Sequence, residues 1–198
     1  MRLSGEEVAE ALLLARNAIS AGRDDAEALS GGASALALLG GEHAPAMQAI
    51  ERALALNPNS AIAWSHAGSV HCYANRPDAA IAAAQRAMRL SPLDPLTFLF
   101  HWIMGYALMQ AGRYEEALEW VDRCLHDRPS FHPAIRGRVA LCGYLGRTDE
   151  ARTWIARLLA VNPIHTIAWF KAFGGKFLSP ATLAIWVEGL RRAGLPDE

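Results

Sequence analysis

Four prolines pace this chain. Pro58, Pro92, Pro129 and Pro163 stand 34, 37 and 34 residues apart, and each follows a similar apolar run: "LALNP", "MRLSP", "CLHDRP" and "LLAVNP". Proline lacks an N–H and clashes with the preceding helical turn, so it ends a helix cheaply where the chain must stop. A fixed period of about 34 residues limits the fold more than composition does, because each unit must bury its apolar face against the next copy of itself.

Each period divides into two helical halves joined by a short turn: "ANRPDAA", "QAGRYEEA" or "YLGRTDEA". Gly112 and Gly146 suit the left-handed position that closes a helix, and the acidic residues after them sit in the positive first turn of the next one. Strand signals are absent: there is no alternating β-branched run and no Asn-Gly or Asp-Gly hairpin dipeptide. The pattern predicts an all-α chain.

The repeat resembles the tetratricopeptide repeat (TPR) family, whose pattern runs Trp, Leu-Gly, Tyr, Ala, Phe, Ala, Pro. Residues 61–92 carry it as Trp64, Ala67-Gly68, His71, Ala80, Ala84, Ala87 and Pro92. Residues 98–129 give His101, Met104-Gly105, Leu108, Ala117, Val121, Cys124 and Pro129, and residues 132–163 give Ile135, Arg138-Val139, Cys142, Ala151, Ile155, Leu158 and Pro163. A fourth unit, 27–58, puts Leu29 in the Trp place and holds one extra residue in "LLGGEHAPA". Small residues such as Gly68, Gly105, Ala80, Ala117 and Ala151 recur where paired helices must approach closely. The resemblance implies a single TPR domain over 1–198, a right-handed superhelix of helix-turn-helix units.

Both ends carry partial units. Residues 1–22 read as the second helix of a repeat without its first, which implies either more protein upstream or another chain over the uncovered face. Residues 164–198 begin a fifth unit with Trp169 and break at Gly174-Gly175. They then form a C-terminal capping helix with Ser179 as N-cap, Pro180 at the first helical position and Gly194 as stop. "ALNPNSAIAW", "RLSPLDPLTFLF", "AGRYEEALEW" and "EGLRRAGLPDE" further resemble the regulatory C-terminal TPR region of bacterial signalling proteins with an upstream cyclase or winged-helix domain. The implied role is that of a scaffold in an adenylate or guanylate cyclase homologue.

Other function classes find little support. The net charge is −1 over 198 residues, so no field draws the chain to nucleic acid or an acidic membrane surface. The most apolar run, "LTFLFHWIMGYALM", is 14 residues against the roughly 20 that a spanning helix needs. No phosphate loop, HExxH or GxSxG occurs, so no catalysis and no cofactor are expected. His66 and His71, or His126 and His132, are five and six apart, off the three- or four-residue spacing of a shared helical face, which argues against a metal. His71 and His101 occupy repeat-core places and should be hydrogen-bonded and partly buried. Cys72, Cys124 and Cys142 show no CxxC spacing and read as small packed hydrophobes of a reduced, cytoplasmic protein.

Binding is the class that remains. In a TPR stack the first helices line the concave side. Along "LTFLFHWIMGYALM", His101, Met104, Gly105 and Leu108 form the core stripe, which turns Leu99, Trp102, Tyr106, Met109 and Gln110 toward the groove. The matching row before it is Ile62, Ser65, Ser69, Cys72 and Tyr73; after it come Arg136, Ala140, Gly143 and Tyr144. An apolar, aromatic groove with Arg136 as its clearest charge suits an amphipathic helix or extended peptide. The groove residues expected to hold it are Ile62, Ser65, Ser69, Tyr73, Leu99, Trp102, Tyr106, Met109, Gln110, Arg136 and Tyr144. Self-association as a homodimer, or filling of the groove by the chain's own last helix, would cover the same rings.

Overall fold

A computed structural model describes residues 4–198. Among these residues there are eleven helices and no strand: α1 Gly5–Ala21, α2 Ala26–Gly40, α3 His43–Leu56, α4 Ala61–Tyr73, α5 Pro77–Leu90, α6 Thr97–Gln110, α7 Tyr114–Asp127, α8 His132–Tyr144, α9 Thr148–Val161, α10 Ile167–Gly174 and α11 Pro180–Arg192. The expected start of the first helix falls partly on residues 1–3, outside the described residues. The 14-residue apolar run is α6, and no helix of the described residues is long and apolar enough to cross a membrane.

Local chemistry explains where the helices begin and end. Ser60, Thr166 and Ser179 accept hydrogen bonds from the backbone N–H three residues on, and Ser4 with Glu7 closes a full capping box on α1. The turns inside the hairpins reverse through one left-handed residue. Gly112 (φ +74°) and Gly146 (φ +67°) take it as expected, and in "ANRPD" the same place is filled by Asn75 (φ +57°), the side chain that best tolerates that region after glycine. The three-residue insertion between Pro92 and Pro129 lengthens the α5–α6 link to residues 91–96, where Leu93 is 94% exposed.

Helices pack in sequential pairs, α2 with α3, α4 with α5, α6 with α7 and α8 with α9, while the first members touch in a row from α2 through α4 and α6 to α8. Small residues set the spacing. A Cβ on Gly105 would stand 2.7 Å from Val121 Cγ2 and 3.1 Å from Ala117 O, so only glycine lets α6 and α7 come this close. Two apolar clusters result: one around Leu29, Leu36, Ile50 and Val70, and a larger one from Cys72 to Leu195.

The C-terminus departs from a simple end cap. α10 stops after eight residues, as the glycine pair suggested, and α11 folds back against α8 instead of extending the row. The tail then returns to α10, where Pro196 O and Asp197 O accept from the N–H groups of Ile167 and Ala168 at its open N-terminus. The strap joining α10 to α11 reaches back to earlier helices: His43 Nε2 lies 2.8 Å from Phe177 O, and Ser179 N donates to Tyr73 O.

Candidate functional site: a filled helix seat and an open cavity

The groove row assembles on α4, α6 and α8, but the structure does not leave it open. Tyr106 is 4% exposed, Met109 1%, Ser65 2% and Arg136 9%; Ile62, Ser69, Tyr73, Leu99, Trp102, Gln110 and Tyr144 are half-buried. The expected division of α6 into a core stripe and a free face therefore needs correction. Both faces are covered, and the chain's own α11 lies against the second at Trp102, Tyr106 and Gln110. His101 keeps contact with water at the edge, its Nδ1 2.9 Å from Asp127 Oδ2, whereas His71 Nδ1 is buried without a partner, contrary to the expected hydrogen bond.

Trp186 of α11 is the anchor of this arrangement. Its ring, 3% exposed, sits 5.3 Å from Tyr106, 5.7 Å from Phe170 and 6.1 Å from Trp102, within the range of favourable aromatic pairs. Polar ties flank it. Gln110 Nε2 donates to Cys72 O and approaches Asn75 Oδ1 and Thr182 Oγ1, and the Tyr144 hydroxyl donates to Ile185 O at 2.7 Å. On the far side Gly143 and Gly189 meet backbone to backbone, giving α8 and α11 a close crossing.

The fit is incomplete in its polar accounting. Gln110 Oε1 and Arg136 Nε are buried at this seat without a hydrogen-bond partner among the described residues, whereas the Tyr106 hydroxyl has the Trp186 side chain as its hydrogen-bonding neighbour. Each orphan costs on the order of 1–3 kcal/mol relative to a satisfied group. Burial also pushes the Tyr106 phenol well above its usual range.

A second feature lies beside the seat and was not legible in the sequence. The N-terminus of α1 and the end of α2 face α8, α9 and α10 across a cavity of about 840 Å³. Its apolar wall includes Val8, Leu38, Leu39, Val161, Trp169 and Phe173. Its cationic side is Arg136, with His132, His165 and Lys176 near it, and none of the lining residues is Asp or Glu. The Arg136 guanidinium packs over Phe170 at 4.8 Å, Trp186 at 5.6 Å and Phe173 at 5.9 Å. Burial lowers its pKa to about 10, which leaves it charged at neutral pH. Burial, with Arg136 and His132 nearby, lowers the pKa of His165 to about 3, so His165 is neutral. The i, i+4 spacing of Trp169 and Phe173 puts both rings on one face of α10, a signal that lies outside the repeat positions. The cysteines are buried and free, and burial raises each thiol pKa.

Comparison with known proteins agrees with this architecture. Residues 66–130 match the model of the tetratricopeptide repeat family. The chain is 30% identical over 99 residues to the small glutamine-rich tetratricopeptide repeat-containing protein 2 of Mycosarcoma maydis, a match over 50% of this chain that spans 27% of that relative. Among solved structures it superposes on PilW, a widely conserved type IV pilus biogenesis factor, with a TM-score of 0.70 at 17% identity over 92% of this chain and 84% of PilW. It superposes on TTC0263, a thermophilic TPR protein of Thermus thermophilus, with a TM-score of 0.68 at 20% identity over 81% and 86% of the two chains. YrrB, a TPR protein with an unusual peptide-binding site, shares the fold with a TM-score of 0.55 at 20% identity over 90% and 91%. Residues 66–130 thus carry the tetratricopeptide repeat match, and the all-helical solenoid is the fold of solved tetratricopeptide repeat proteins.

Proposed function

We propose that this chain is a non-catalytic protein-interaction scaffold whose α4–α6–α8 row receives an amphipathic helix, with α11 as the occupant that a partner helix replaces. The carrying observation is the seat itself: it already takes a helix through one tryptophan anchor, yet leaves Gln110 Oε1 and Arg136 Nε buried and unpaired among the described residues. A partner that satisfies Gln110 and Arg136 would gain what α11 lacks. The peptide-binding site of YrrB is a property of that protein, but it fits the same reading of the shared fold. Resemblance to the regulatory TPR region of cyclase-like bacterial proteins extends the proposal to a signalling scaffold in the cytoplasm, and an upstream catalytic domain in the same reading frame would be its genomic signature.

The test uses α11 as its own probe. A labelled peptide of residues 179–195 should bind weakly to the wild-type chain, where the tethered copy competes at roughly millimolar effective concentration. It should bind at least about tenfold more tightly to a Trp186→Ala chain, whose own α11 has lost its anchor. Equal and negligible binding to both chains, with helical circular dichroism intact, would remove the helix-receptor reading. Self-association is a second reading, favoured by Leu13 and Leu14, which are 57% and 61% exposed side by side on α1.

A further inference from the structure

We propose that the cavity between α1–α2 and α8–α10 binds an amphipathic carboxylate, a carboxylic acid on a hydrocarbon tail, with Arg136 as its counter-ion. This site lies beside the helix seat, shares Arg136 with it, and does not require a partner helix in that seat. Three observations carry the inference.

The first is an uncompensated charge. Arg136 is about nine-tenths buried, makes no ion pair and no side-chain hydrogen bond among the described residues, and borders the cavity with its Nε unpartnered. A buried cation without a counter-ion costs several kcal/mol in any protein, and the usual remedy, a neighbouring Asp or Glu, is missing from the cavity wall. Arg138, the other buried arginine, reaches Asp122 at 2.7 Å and Glu150 at 2.8 Å, so this scaffold supplies carboxylates to a buried guanidinium elsewhere. A planar guanidinium held among rings is shaped for a bidentate carboxylate.

The second is size and lining. A cavity of about 840 Å³ falls within the roughly 300–1,000 Å³ of small-ligand sites, which combine apolar walls with a few placed polar groups. Leu38, Val161 and Phe173, 39%, 47% and 40% exposed, would be covered by a ligand in the cavity.

The third observation concerns what the wall cannot satisfy. An extended peptide brings an N–H and a C=O at every residue, and each needs a partner once buried. Asn162 and Ser4 are the uncharged hydrogen-bonding side chains that the wall offers apart from its histidines and the Trp169 indole, too few for several peptide units. A ligand with its polar atoms gathered at one end and its remainder apolar matches one guanidinium and a hydrocarbon wall.

The probe is decanoate below its micellar concentration, titrated into the full chain by calorimetry and by the fluorescence of Trp169. Saturable one-to-one binding is expected, weakened about tenfold or more in Arg136→Met, which removes the charge-assisted contact. Leu38→Glu, at a partly exposed position that tolerates charge, should block binding by carrying a carboxylate to the cavity mouth, whereas Leu93→Glu on the exposed α5–α6 link should change nothing. Decanol, with the same tail and no charge, should bind at least about tenfold more weakly. The proposal is overturned by absence of saturable decanoate binding, by equal affinity for decanol, by binding that survives both Arg136→Met and Leu38→Glu, or by stronger binding of an apolar hexapeptide carboxylate than of decanoate.

Discussion

Gly143→Ala tests whether α11 is truly docked on α8. Gly143 lies in the last turn of α8, and a Cβ there would stand inside the contact distance of Gly189 O and 2.6 Å from Ala193 N. Ordinary contact begins near 3.4 Å, so α11 would have to retreat by close to an ångström, and its backbone cannot give way as a flexible side chain could. Alanine favours a helix over glycine by about 1 kcal/mol. Overpacking of this kind costs about 1–3 kcal/mol, with a backbone contact at the upper end. The net effect is a loss of about 1–2 kcal/mol, concentrated on α11, which raises its undocked population by roughly 5- to 30-fold. Hydrogen exchange at Val187 and Leu190 amides should speed up by that factor, and Trp186 emission should shift to the red. Gly31→Ala is the control: Gly31 is inside α2 with nothing within 4 Å of its Cβ position, so the same substitution should stabilise by about 1 kcal/mol. If Gly143→Ala also stabilises, and α11 protection stays unchanged, the close α8–α11 crossing is wrong.

Acidification should weaken the fold through His165. Its folded pKa of about 3 lies below the unfolded value near 6.5, so the unfolded chain takes up the proton first, and its contribution to stability falls by about 2 kcal/mol from pH 7 to pH 5; in urea denaturation the wild type should lose about that much more than His165→Phe, which keeps the slope due to His66, His71 and His101, whose pKa values burial also lowers. Arg136→Met removes a buried charge with no ion-pair partner among the described residues, and although three ring contacts go with it, the unfolding free energy should hold or rise by about 1 kcal/mol. A fall beyond about 1 kcal/mol in denaturant titration would make Arg136 a packing residue and not a held-ready cation. Light scattering at high concentration checks the exposed leucine pair: Leu13→Glu with Leu14→Glu should convert any dimer to monomer while leaving the melting temperature unchanged within about 2 °C.

The periodic parts of the fold were legible because they rest on local rules. Proline stops, left-handed turn residues and small contact residues each act within a few residues of one another, so "YLGRTDEA" announces its turn without knowledge of the rest. Asn75 shows the limit of reading by residue type, since the turn needs only a tolerated positive φ and takes it without glycine. The site is harder to read. Trp102, Tyr106, Met109 and Arg136 share one row in the sequence pattern and in the fold, but the exposure of that row depends on where a helix some 80 residues beyond Tyr106 comes to rest. Nothing in "ATLAIWVEGL" distinguishes a helix that covers the end of a stack from one that folds into its groove, because both need one apolar stripe.

That ambiguity has a physical source that also explains the cavity. A repeat stack leaves one face of each first helix without an obligatory neighbour, and where that face is apolar, as at Trp102 and Tyr106, an amphipathic segment within reach can lower the free energy by covering it. α11 reaches Trp102, Tyr106 and the inner edge of Arg136, but its one tryptophan cannot also cover Leu38, Val161 and Phe173 across the groove. The seat and the cavity are thus two portions of one concave surface, divided by what a 13-residue helix can cover. Arg136 stands at the border, stacked on the rings of the filled side and facing the open one. A ligand that neutralises it would remove a buried uncompensated charge directly beneath Trp186, so occupancy of the cavity should tighten the hold on α11, and release of α11 should weaken the ligand by the same factor.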